Sequence, residues 1–147
     1  MRFIADAMLG SLARRMRLLG FDVHYDPALP DNGVLRLALE QDRIILTRDT
    51  GLSSRPLAER HLLILSDHLE AQLAQVLEAF PAPAGGVLTR CSVCNGPLYA
   101  LDRTEARDLV PDHVLATAGE YWRCSGCGKV YWKGSHVRNM EMRCQKE

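Results

Sequence analysis

Ile44-Ile45-Leu46-Thr47-Arg48-Asp49 is the most β-like run of the chain, and it ends in a carboxylate. Two isoleucines and a threonine suit a pleated surface. Three more short apolar runs close the same way: Phe3-Ile4-Ala5-Asp6, Val23-His24-Tyr25-Asp26 and Leu63-Ile64-Leu65-Ser66-Asp67. Between them the period changes. Residues 8–19 put Met8, Leu9, Leu12, Ala13, Met16 and Leu19 on one helical face, with Ser11, Arg14 and Arg15 largely opposite. Gly20 closes that helix as a C-terminal cap would. Asp31 can cap a helix from Asn32 to about Gln41. Residues 50–55 read as polar loop, Pro56 to Arg60 as a short helix, and residues 68–80 as a helix with Leu69, Leu73, Val76, Leu77 and Phe80 inward. Strands alternating with helices over 80 residues predict an α/β fold with a parallel sheet and right-handed crossovers.

In such a sheet the carboxyl ends of the strands form the ligand crevice. Three carboxylates gathered within about 5 Å repel by roughly 3 kcal/mol per pair at an effective dielectric near 20. They protonate, pair with basic groups, or bind a hard cation. Asp6 ends the expected central strand, and Asp49 has no clear helix to cap. These two, with Asp31, are the candidates for metal-dependent chemistry on phosphate esters. Asp67 resembles the first residue of a capping box, Asp67-His68-Leu69-Glu70, and Asp26 sits in a turn before Pro27. Both are weaker candidates for a fourth acid. Asp22 and Asp42 fall at strand starts and should be solvated. There is no Walker-type phosphate loop and no Asp-x-Asp pair at Asp6. Magnesium takes one or two carboxylates and keeps several waters, so the expected reaction is in-line attack of water on phosphorus.

The chain has 147 residues and zero formal net charge, so no global basic field points to nucleic acid. Residues 1–86 carry 9 Lys+Arg against 11 Asp+Glu; residues 87–147 carry 9 against 7. Nothing resembles a signal peptide or a membrane span, and a soluble cytoplasmic protein is the expectation. Pro-Ala-Pro-Ala-Gly-Gly at residues 81–86 reads as a linker between a domain at 1–80 and another at 87–147.

All five cysteines follow residue 90. Cys91-Ser-Val-Cys94 and Cys124-Ser-Gly-Cys127 have the spacing of two zinc knuckles, and together they offer a closed four-thiolate site. Structural zinc is the expectation, and catalysis by that zinc is not. Twenty-nine residues separate Cys94 from Cys124, so the ribbon carries an insertion. Cys144 is read as a bystander on a C-terminal helix, with His113 and His136 as alternative ligands. From Tyr121 onward, Tyr121, Trp122, Tyr131 and Trp132 interleave with Arg123, Lys129 and Lys133. That pattern suits either base stacking on single strands or a ribbon's own packing. His136 is a further candidate contact to phosphate or base, and Ser135 can cap the last helix. Arg14, Arg15 and Arg17 on the first helix suit either phosphate binding or a solvated face.

Phe3 to Gly10 with Leu12-Ala13-Arg14, Leu18 to Asp22, Ile44 to Asp49, both Cys-x-x-Cys pairs and Tyr131 to His136 together resemble a known family. It is the PIN-like ribonuclease family called the Mut-seven C-terminal RNase domain. The resemblance implies a PIN-like three-layer α/β/α fold with a C-terminal zinc ribbon. It implies a Mg²⁺- or Mn²⁺-dependent ribonuclease acting on single-stranded or structured RNA. Asp6 and Asp49 match the family's first and later acids. Asp31 looks like the intervening one, with Asp26 competing for that role, and Asp67 is a possible fourth. Arg14, Arg15 and Arg48 would bind phosphates, and Trp132, Lys133 and His136 would contact RNA. The rival expectations are a non-catalytic RNA-binding module and a protein-interaction module on the same fold.

Overall fold

The computed structural model describes residues 1–134 and 137–140. The expectations for Ser135, His136 and Cys144, and for most of a C-terminal helix, lie outside the described residues. The chain divides into two compact units. One is Met1–Met16 with Phe21–Pro81; the other is Arg17–Gly20 with the described residues from Ala82 onward.

The first unit is a four-stranded parallel sheet in the order β2-β1-β3-β4. Its strands are β1 (Arg2–Ala5), β2 (Asp22–Tyr25), β3 (Ile44–Thr47) and β4 (His61–Leu63). The helices are α1 (Gly10–Leu18), α2 (Asp31–Glu40), α3 (Thr50–Ser53) and α4 (Leu69–Ala79). Alternation along β1 fills two layers. Phe3 meets Phe21 and Phe80 edge-on, with ring centroids 5.5 and 5.1 Å away. The next residue, Ile4, packs with Val34, Leu35 and Ala38 of α2 and with Ile45 and Leu52. All four residues of β3 are buried, as a central strand covered on both faces requires.

Several local expectations need correction. The first helix begins as a 3-10 turn, Ala7–Leu9, capped by the Asp6 side chain. That turn rotates Met8 outward, to 70% exposure, instead of into the core. Pro30, not Asp31, is the N-cap residue of α2, and Asp31 is the first helical residue. Proline pre-sets the backbone there but brings no side-chain cap. Residues 50–53 form the single-turn helix α3 instead of loop, and Asp49 caps it. At α4 the N-cap is His68 with no side-chain cap bond. Asp67 lies one position too early and meets the His68 ring at 3.5 Å. Asp22 is not simply solvated: Arg43 Nη1 donates to it at 2.8 Å and to the Phe3 carbonyl at 2.9 Å. Asp42 is solvated as expected, 77% exposed, and pairs with Arg60.

The second unit contains an antiparallel sheet, β5 (Leu98–Leu101), β6 (Tyr121–Cys124) and β7 (Val130–Trp132), in that order. The insertion between β5 and β6 forms α5 (Arg103–Ala106) and α6 (Asp112–Thr117). These helices have their own small core with Leu101, Ala106, Val110, Val114, Ala118 and Tyr121. A capping box at Asp102 and Glu105 starts α5, and the Tyr121 hydroxyl donates to the Ala118 carbonyl at 2.7 Å where α6 ends. Gly20 belongs to this unit and has φ of 97°; a Cβ there would meet the Gly86 carbonyl at 2.8 Å. Among the described residues no helix is long and apolar enough to cross a membrane.

Candidate active site and metal centre

β1 lies between β2 and β3, so consecutive connections leave it in opposite directions. In open α/β sheets such a switch point is where ligands bind, here at the carboxyl ends of β1 and β3. Asp6 follows β1 there, and Thr47-Arg48-Asp49 follows from β3.

Thr47 joins the two acids. Its hydroxyl donates to Asp6 Oδ2 at 2.8 Å and accepts from the Asp49 amide at 2.9 Å. Asp6 Oδ1 accepts from the Ala7 amide at 2.6 Å. Asp49 Oδ1 accepts from the Gly51 and Leu52 amides at 2.8 and 3.4 Å, which caps α3. Thr47 is fully buried and Asp6 is 8% exposed, while Asp49 stands at the surface. Two short helix starts and a buried hydroxyl therefore fix both carboxylates. The Tyr25 hydroxyl donates to the Ala7 carbonyl at 2.9 Å and supports the same turn. Gly10 allows it, because a Cβ there would meet that hydroxyl at 2.7 Å.

The other candidates are placed differently. Asp31 is exposed in the first turn of α2. Its neighbour Asn32 accepts from Arg55 Nη2 at 2.9 Å, which brings the start of α2 toward the segment after α3. Asp26 caps its own turn through the Ala28 amide at 2.9 Å. Asp67 is exposed. Among the described residues, the only group of three or more His, Cys, Asp or Glu donors that converges is a cysteine quartet. The carboxylates of Asp6, Asp31 and Asp49 do not form such a group. Oxygen donors of this kind still suit a hydrated magnesium, which needs only one or two of them.

Of the arginines, Arg14 is exposed and Arg15 pairs with Glu70 at 3.2 Å. Arg17 does not belong to a solvated face. It is 5% exposed, and its Nη1 donates to the Ser92 and Val93 carbonyls at 3.0 and 3.2 Å, bracing the first Cys-x-x-Cys turn. Arg48 has a buried Nε with no hydrogen-bond partner among the described residues. A separate cleft of about 190 Å³ lies at the start of β3, lined by Asp42, Arg43, Leu39 and Leu57. It is at the opposite end of the strands from the acids.

The cysteine quartet comprises Cys91, Cys94, Cys124 and Cys127, with all four sulfurs within 4.8 Å of one another. Cys94 and Cys124 sulfurs are 3.3 Å apart, and those of Cys91 and Cys127 3.6 Å. A disulfide would need about 2.05 Å. A tetrahedral zinc with Zn–S bonds near 2.3 Å needs edges of about 3.8 Å. The soft donor set and the spacing fit zinc. The turns are built for close approach: a Cβ at Gly96 would sit 3.2 Å from both Cys94 and Cys124 sulfurs. The Gly126 and Cys127 amides point at Cys124 Sγ, at 3.3 and 3.4 Å.

Electrostatics at the quartet favour thiolates unevenly. Burial pushes the Cys124 thiol up, but the Cys127 amide, the Cys94 thiol and the Gly126 amide outweigh it and bring it to about 6. At Cys94 the Gly96 amide lowers the thiol, while the Cys124 sulfur and burial carry it up to about 11. Burial also raises Cys91, and the Tyr131 hydroxyl with the Cys94 and Val93 amides turns the balance downward. Tyr131, which in sequence suits either base stacking or the ribbon's own packing, supports the metal centre instead. Its hydroxyl lies 3.0 Å from Cys91 Sγ and accepts from the Ser92 amide at 3.0 Å. Burial and the Cys91 sulfur push this phenol up to about 12, so it keeps its proton and can donate it to the thiolate.

Residues 1–144 match the Mut7-C RNAse domain. The chain belongs to the Mut7-C RNAse domain family. That match covers the parallel-sheet unit and the cysteine quartet alike, so both are parts of the family's pattern. It points to a nuclease in general and to RNA as substrate. No curated protein and no solved structure matched the chain.

Proposed function

We propose that this Mut7-C protein is a divalent-metal-dependent ribonuclease that hydrolyses RNA phosphodiester bonds at the carboxyl edge of its parallel sheet. The observation that carries the proposal is the Asp6–Thr47–Asp49 network at the switch point between β1 and β3. Asp6, Asp49 and Asp31 would hold Mg²⁺ or Mn²⁺. Such an ion, when bound, lowers the pKa of a water and offsets charge on the phosphoryl oxygens. The chain's own part is to orient the carboxylates and bind the substrate. Thr47 and the Ala7 amide fix the Asp6 carboxylate. The α3 cap directs Asp49. Arg48, whose buried Nε has no hydrogen-bond partner among the described residues, suits a phosphate oxygen at the same edge. Asp26 and Asp67 are the candidates for a fourth acid, and Arg14 and Arg15 for further phosphate contacts. In the second unit Cys91, Cys94, Cys124 and Cys127 would hold a structural zinc, and the ribbon would aid RNA binding.

One observation favours a second reading. Asp6 has both oxygens hydrogen-bonded and Asp49 serves as a cap, so each carboxylate already has a structural task. A non-catalytic RNA-binding module would keep both. Labelled single-stranded and hairpin RNAs incubated with Mg²⁺, Mn²⁺ or no added divalent ion separate the two. Cleavage that needs metal and disappears in Asp6→Asn/Asp49→Asn supports the nuclease. RNA binding equal in both proteins, with no cleavage at any metal concentration, assigns the binding module.

A further inference from the structure

Within the second unit a cleft of about 300 Å³ lies between α6 and β7, walled by His113, Thr117, Trp132, Lys133, Gly134 and Arg138. Alternation along β7 explains its chemistry. Tyr131 turns inward to the cysteine quartet at 8% exposure, so its neighbour Trp132 lies on the opposite face of the sheet, beside its cross-strand partner Tyr121, and at the margin of the small core it is 36% exposed. β7 is also the edge strand of its sheet. Trp132 is not among the residues of the small core, to which β7 contributes Val130. Two permanent cations, Lys133 and Arg138, share the cleft with it, and among the described residues no carboxylate lines it. Space at the Gly134 wall is open: a Cβ added there would meet nothing within 4 Å. The Thr117 hydroxyl donates to the His113 carbonyl at 2.7 Å, which leaves its oxygen free to accept. The volume is at the lower end for a small-ligand site, about what one nucleotide needs.

We propose that this cleft is a nucleotide subsite for single-stranded RNA, with a base stacked on Trp132 and its phosphate held by Lys133 and Arg138. An aromatic face beside cations is the recurrent way to hold unpaired strands, because every base has a stacking face and every nucleotide a phosphate. An acidic peptide would satisfy the cations but has no use for the indole. The proposal rests on RNA being the substrate of this chain, and its test does not depend on cleavage.

The experiment titrates the full-length, zinc-loaded Asp6→Asn protein with an oligouridylate and an oligoadenylate of about eight nucleotides, without added Mg²⁺ or Mn²⁺. Tryptophan emission and the anisotropy of labelled RNA are followed at several salt concentrations. Binding should quench emission in the Trp132 protein. Trp132→Ala should bind about tenfold more weakly, with Trp132→Phe close to the parent. Lys133→Gln and Arg138→Gln should each make the salt dependence shallower by about 0.7 in log–log slope. Zinc content and circular dichroism confirm that each variant is folded. RNA affinity unchanged in Trp132→Ala, or an unaltered salt slope in both cation variants, overturns the proposal. So does an oligoglutamate peptide that displaces RNA as well as unlabelled RNA does, which would assign a protein partner instead. If the wild-type protein cleaves nothing but the Trp132-dependent binding persists, the nuclease reading fails and this subsite stands.

Discussion

Thr47→Val is the substitution that tests the geometry of the acid pair most directly. Valine keeps the shape and β-branching of threonine, so β3 retains its packing, and the change removes only the hydroxyl. That hydroxyl is fully buried and makes two bonds: to Asp6 Oδ2 at 2.8 Å and from the Asp49 amide at 2.9 Å. A hydrogen bond to an ionised group contributes about 1.5–3 kcal/mol and a neutral one about 1 kcal/mol, so the variant should lose about 2.5–4 kcal/mol. Both tryptophans, Trp122 and Trp132, lie in the second unit. Their fluorescence therefore does not report on the lesion. Urea unfolding followed by helical circular dichroism does, together with amide exchange at Asp49 and along β1 and β3. The Asp49 amide should lose protection first, and Thr47→Ser should recover most of the loss. A Thr47→Val protein within about 0.5 kcal/mol of the parent, with Asp49 equally protected, would refute the account of Thr47 as the link, given the expected cost of a buried unmet donor.

Three other outcomes follow from the same structure. Tyr131→Phe removes the hydroxyl 3.0 Å from Cys91 Sγ, so zinc affinity measured against a chromophoric chelator should fall about 10–100-fold; unchanged affinity would reduce Tyr131 to packing. Native mass spectrometry should find one zinc per chain, and stripping it should unfold β5–β7 and red-shift tryptophan emission while the helices of the first unit persist. Acid should release the ion too, because four thiolates must take up protons. Arg43→Met removes the donor shared by the Asp22 carboxylate and the Phe3 carbonyl, on a side chain only 10% exposed; a loss of about 1–3 kcal/mol in urea unfolding is expected.

Periodicity carried most of the first unit. The switch from period two to period 3.6 located four strands and three of the helices, and a run of β-branched residues ending in Thr-Arg-Asp marked the central edge. Cap assignments were harder. Asp31 and Asp67 look alike in sequence, as an acid near a helix start, while Asp49 shows no helix to cap. Which one caps depends on whether the preceding residue leaves the strand at the right point, a matter of one position. Pro30 took the cap position of α2, and His68 that of α4. Asp49 received a helix too short for a periodic signal. Arg17 was misplaced for a related reason. An arginine cannot advertise a buried pair of carbonyl acceptors seventy-five residues away, since long-range partners leave no local pattern. Thr47 and Tyr131 did carry a signal. Each is a hydroxyl among apolar neighbours in a strand, where a buried polar group must find partners.

Asp49 is where structure and chemistry can be separated by one atom. Its Oδ1 takes both capping bonds, from Gly51 and Leu52. Asparagine caps as well as aspartate, because its amide oxygen accepts in the same place. Asp49→Asn should therefore unfold with the parent, while Asp49→Ala should lose about 0.5–2 kcal/mol. If the carboxylate also holds a catalytic ion, both variants should lose RNA cleavage, since the amide has no charge to offer it. The two measurements then fall into distinct patterns. Stability lost only in alanine with cleavage lost in both means that the residue caps α3 and serves the site. Equal loss of stability in both variants would contradict the cap geometry. Cleavage retained in Asp49→Asn would leave the residue a cap alone, and would shift the metal to Asp6 and Asp31.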